Sequence, residues 1–114
     1  MKYMLLIYGD EQAWNDLTRE ECYQESTDLA HELKSAGQYL AASPLHSVAT
    51  ATSVRVRGGK RLITDGPFAE TREQLGGYYL VNAKDDAQAL EFAKLCPAPA
   101  GYVELRPVWE FDAS

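Results

Sequence analysis

Two stretches, Lys2–Tyr8 and Gly76–Asn82, are apolar at nearly every position rather than at every second one. A strand has two faces, and side chains alternate between them. In the first stretch Met4, Leu6 and Tyr8 fall on one face and Tyr3, Leu5 and Ile7 on the other. Strands of this kind must be covered on both sides. That requirement limits how the rest of the chain can be arranged.

Between and around these strands the sequence spells out further elements. After Gly9-Asp10 a polar loop with Trp14 leads to Thr18-Arg19-Glu20-Glu21, a capping-box pattern that places a helix start at Thr18. Cys22, Ser26, Leu29, Leu33 and Ala36 then recur as one helical stripe, and Gly37 stands where a left-handed cap would end it. Gln38–Ala42 reads as a second strand closed by Ser43-Pro44. Ser53–Arg57 and Lys60–Thr64, joined by Gly58-Gly59, read as a hairpin with Val54 opposite Ile63 and Arg55 opposite Leu62. Lys84–Lys94 forms a second helix capped by Asp85, stopped before Pro97 and Pro99, and Tyr102–Val108 is the last strand.

With the hairpin set aside, the order is strand, helix, strand, strand, helix, strand. This is the split βαβ, ferredoxin-like pattern of an α+β fold, with two helices on one face of an antiparallel sheet. The helices leave the second face of the two apolar strands uncovered. Monomers rarely expose such a patch, so the expectation is a homodimer that pairs two sheets into a dimeric α/β barrel, with the cleft as the default ligand site. At 114 residues the chain is expected to be a single domain spanning 1–114.

Composition narrows the function. A net charge of −6 argues against nucleic-acid binding, since no excess of Lys and Arg exists to displace counterions from phosphates. No apolar run is long enough to span a bilayer, which argues against a membrane role. The opening Met-Lys-Tyr-Met-Leu-Leu-Ile-Tyr lacks a small-residue cleavage site, so a cytoplasmic address is expected. Cys22 and Cys96 are too few and too separated for a metal site or disulfide framework and read as packing thiols.

The segment Thr64-Asp65-Gly66-Pro67 puts a carboxylate on a rigid corner. Asp65 is either an Asx-turn group bonded to nearby backbone or an acid/base group at a cleft. His46, in the loop after Ser43-Pro44-Leu45, could pair with it; His31 lies off the helical stripe and reads as a surface residue. Arg55, with Arg57 and Arg61, could bind a carboxylate or phosphate, or could simply be a solvated strand edge. Tyr78 and Tyr79 point to opposite faces, so at most one can meet a ligand. Gly76-Gly77 precedes a strand and not a helix, which fits a bulge or close backbone approach better than a phosphate loop. Two histidines without paired carboxylates do not make a metal centre, and no cofactor motif is present.

Ala49–Arg57, Thr64–Thr71, Glu73–Tyr79, Val103–Val108 and Lys2–Tyr8 together resemble the DGPF branch of the YCII-related family, over nearly the whole chain. The resemblance implies a dimerising ferredoxin-like fold. It implies suspected enzymatic action through a His–Asp pair, for which Asp65 is the matching aspartate and His46 the available histidine. It also implies a link to extracytoplasmic-function sigma-factor signalling. Two functions follow as expectations: a cleft enzyme using Asp65 and His46 on a small polar molecule, or a non-catalytic dimeric module that binds a small molecule or serves a sigma-factor pathway.

Overall fold

A computed structural model describes residues 1–13, 16–67, 71–98 and 101–110. Six strands and two helices follow in the order β1 (Lys2–Gly9), α1 (Asp16–Ser35), β2 (Tyr39–Pro44), β3 (Thr52–Arg57), β4 (Lys60–Asp65), β5 (Gln74–Asn82), α2 (Asp86–Leu95) and β6 (Gly101–Pro107), with short 3-10 turns at Glu11–Ala13 and Val48–Thr50. β2, β5, β1 and β6 form one antiparallel sheet in that order, and β3 and β4 form a separate two-stranded sheet. The βαββαβ order and this strand arrangement are compatible with a ferredoxin-like α+β fold.

Alternation along the central strands decides where the core lies. Tyr3 and Leu5 of β1 and Tyr79 and Val81 of β5 are buried with Leu29 and Leu33 of α1 and Ala89 of α2, and Phe92, Val103 and Leu105 pack on them. Both helices therefore cover the same face. Met4, Leu6 and Tyr8, with Tyr78 and Leu80, alternate to the other face and are half-buried. Tyr8 and Tyr102 face each other across β1 and β6 there and stack with ring centroids 5.0 Å apart.

The ends of the elements are set by local chemistry. α1 closes in a Schellman motif: Gly37 has φ 73°, Gln38 N–H donates to Leu33 O at 2.8 Å, and Gly37 N–H donates to Lys34 O at 3.1 Å. At α2, the Asp85 carboxylate accepts from Gln88 N–H at 2.9 Å while Gln88 Oε1 accepts from Lys84 N–H at 2.8 Å. The start of α1 needs correction: the helix begins at Asp16, so Thr18 lies inside its first turn and not at its cap. Trp14, Phe68, Ala69, Glu70 and Pro99 lie outside the described residues. β2 also runs through Ser43-Pro44 rather than stopping before it. It is an edge strand, where a proline breaks no ladder on the outer side, and Leu45 N–H bonds onward to Gly76 O at 2.8 Å.

The glycine pair of β5 does two jobs. The register of β1 with β5 slips between Ile7 and Tyr8, which leaves Gly76 as the extra residue of a bulge. Gly77 lies against β2, where a Cβ would stand 3.1 Å from Ser43 O. The hairpin forms in the expected register, with Val54 opposite Ile63 and Arg55 opposite Leu62, and Gly58 and Gly59 both take positive φ at its turn.

Candidate functional site

A cavity of about 640 Å³ lies between α1 and the β2–β5 edge of the sheet. Small residues create it. Ser26 and Ala30 on α1 face Ala42 and Ser43 on β2 and Gly77 on β5, and all five line the space without filling it. Tyr23, Tyr39 and Tyr79 supply aromatic lining, and His31, Lys34, His46 and Ser47 supply polar groups. Mostly apolar walls with a few polar groups at this volume are the usual make-up of a small-molecule site.

Two contacts hold its shape. The Tyr79 hydroxyl donates to Ser26 O at 2.7 Å, tying the floor of the cavity to α1. Burial raises the Tyr79 pKa, only partly offset by Ser26, so the ring stays a neutral donor. The Glu11 carboxylate accepts from Ser47 Oγ at 2.8 Å and from Val48 N–H at 2.9 Å, pinning the loop that leads from β2 to the hairpin. Cys22, at the wall, is a buried free thiol whose pKa is raised chiefly by burial, and Cys96 is likewise free and buried, pushed up to about 12. Thiols held protonated in this way make poor nucleophiles. This agrees with their reading as packing residues.

The sequence-derived candidates divide between the cavity and the hairpin. His46, Tyr78 and Tyr79 line the cavity, with His46 on an exposed loop. Asp65 and Arg55 do not line it; both are exposed on the hairpin. The Asp65 corner is built as its sequence suggests. Gly66 has φ 90°, its N–H donates to Ala51 O at 2.7 Å, and Ser53 Oγ donates to Gly66 O at 2.6 Å. These bonds fix the turn through Gly66, and the Asp65 carboxylate has no hydrogen bond to any described residue. Both tyrosines border the cavity, against the expectation that at most one could; Tyr79 is buried beneath α1 and Tyr78, the preceding residue of β5, is half-buried.

The apolar helix-free face points to a site on that side of the sheet, whereas this cavity lies against α1. The available signal was the set of small residues at Ser26, Ala30, Ala41-Ala42-Ser43 and Gly76-Gly77. Their convergence depends on how α1 crosses the sheet. Among the described residues no cluster of His, Cys, Asp and Glu is placed to hold a metal ion, and no described helix is long and apolar enough to cross a membrane.

An α+β domain with a split βαβ sheet and a cavity under its first helix is the class this geometry defines. The model of the YCII-related domain matches residues 1–112, and the chain belongs to that family. It is also similar to an uncharacterised protein of Rhizobium meliloti (strain 1021), 32% identical over 115 residues that cover 95% of this chain and 92% of the relative.

Proposed function

We propose that this chain, a DGPF-type member of its family, is a homodimeric small-molecule-binding protein. Its ligand occupies the α1–β2 cavity, and its helix-free sheet face is covered by a second copy. The observation that carries the binding reading is the cavity itself, about 640 Å³ with aromatic walls, a tyrosine-bonded floor and histidines among its lining. The dimer is supported by the apolar face formed by Met4, Leu6, Tyr8, Tyr78 and Leu80, over which no described helix lies. A small organic molecule with an apolar body and a polar end suits these walls. A regulatory role beside a sigma factor would use the same ligand-responsive dimer.

A second reading makes the protein an enzyme in which Asp65 and His46 share acid/base work on a small polar molecule, with Arg55 and a tyrosine holding it. The place of His46 in the cavity lining supports it. Asp65 does not line that cavity, and this reading needs its carboxylate to reach the bound molecule.

The test is a fragment screen by thermal shift on the wild-type protein and on Thr27→Trp, which fills the cavity from the exposed face of α1. A ligand at a hundredfold its Kd raises stability by about 2.7 kcal/mol. In a chain of this size that is a rise of roughly 10 °C or more in Tm. The same fragments are expected to leave the Thr27→Trp melting temperature unchanged. Hits that stabilise both proteins equally would place binding elsewhere.

A further inference from the structure

The hairpin is the part of this molecule that the fold leaves unaccounted for. Its strands pair only with each other among the described elements. Directly opposed residues share a face, so Val54, Val56 and Ile63 lie together on one side with Arg61 opposite Val56, and Thr52 and Asp65 end the same row. Those three apolar residues are 57%, 63% and 73% exposed. A two-stranded ribbon is barely stable in water by itself. One that also holds a row of β-branched side chains in solvent needs something to cover it.

Among the described elements β3 and β4 pack mainly on each other, and the chain as a whole is extended. The radius of gyration is 15.9 Å, whereas a compact chain of this length comes to about 13 Å.

We propose that β3–β4 is an arm that lays its Val54–Val56–Ile63 face on a second copy of this chain, carrying Asp65 into the contact between them. This rests on the dimer proposed above and adds to it a second contact surface and a residue supplied across the twofold axis.

Charge selects the occupant. Residues 52–65 hold Arg55, Arg57, Lys60 and Arg61 against Asp65, a net +3, so the chain total of −6 leaves −9 on the other 100 residues. The arm is a cation and the body is an anion, and a second copy supplies the complementary surface to each.

Area points the same way. Strands of eight residues in a four-stranded sheet project about 500 Å². A stable dimer buries roughly 800 Å² per partner. The hairpin face adds about 200 Å² and the patch that it covers on the partner about as much again, which brings each copy to that size. In a twofold dimer the contact is isologous, so one operation covers both unpartnered surfaces of both copies.

The experiment compares wild type with Val54→Asp/Ile63→Asp and with Arg57→Glu/Arg61→Glu, by size-exclusion chromatography with light scattering over a dilution series. Both variants are expected to raise the dimer dissociation constant at least about tenfold, the charge variant mainly at low salt. A wild-type dimer whose affinity is unchanged in both variants overturns the arm and leaves the sheet-face dimer standing. That is also the result expected if the hairpin serves a different protein. A wild-type monomer removes both. Hydrogen exchange on the wild-type protein reports independently of variant folding: the amides of Thr52–Asp65 are expected to become better protected as concentration rises through the dimer transition. Protection that does not depend on concentration overturns the proposal.

Discussion

At the scale of single residues, the fold depends on a few positions where a side chain has no room. A Cβ on Gly101 would stand 2.1 Å from Tyr8 O and 2.7 Å from Gly9 Cα, both backbone atoms of a central strand. Gly101→Ala is therefore expected to cost about 3 kcal/mol or more, read as a loss of urea midpoint. Gly37→Ala, where a Cβ meets nothing within 4 Å but φ is 73°, is expected to cost only about 1–2 kcal/mol. Equal losses at the two sites would contradict this assignment. The close approach of Gly77 to Ser43 O is of the same kind, and its glycine pair was legible as a bulge or close contact because a strand follows it. The role of Gly101 was not legible, since only the pairing of β6 with β1 brings it against Tyr8.

At the scale of elements, the sequence carried most where local chemistry fixes the outcome. The cap at Asp85, the stop at Gly37 and the hairpin register all depend on residues within a few positions of one another. The start of α1 was misplaced because Thr18–Glu21 has the spacing of a capping box while helical structure extends two residues further back. Asp85→Ala is expected to lower stability by about 1 kcal/mol through loss of the α2 cap, with Asp85→Asn close to neutral.

A side-chain hydrogen bond holds β1 against α2. The Tyr3 hydroxyl donates to the Asp86 carboxylate, which with burial pushes its pKa up to about 12. Burial puts Cys96, just after α2, also at about 12. Both groups are neutral when protonated, and both pKa values are raised by folding. Their contributions are thus complete below the unfolded values, about 10 for tyrosine and 8.5 for cysteine, and are lost as pH rises toward 12. Thermal melts are expected to hold steady near neutral pH and to fall steeply above about pH 9, with Tyr3→Phe flattening part of that fall. A melting temperature that does not change across that range would contradict the linkage.

At the scale of the whole molecule, the apolar character of both faces of β1 and β5 was plain in the sequence, and it implied a covering that the helices do not provide. The cavity was not plain. It is the space left where small residues from α1, β2 and β5 converge, and such convergence is a property of packing rather than of any local pattern. Covering the helix-free face is the step on which the proposed dimer and the arm both depend. Leu80→Asp, placed on that face but not on the hairpin, is accordingly expected to weaken self-association while leaving fragment binding in the cavity intact. Sedimentation equilibrium of the wild-type protein at micromolar concentration tests that step most directly. The expected result is a particle of twice the 12.7 kDa chain mass that dissociates only on strong dilution. A stable, soluble species of 12.7 kDa throughout would contradict it.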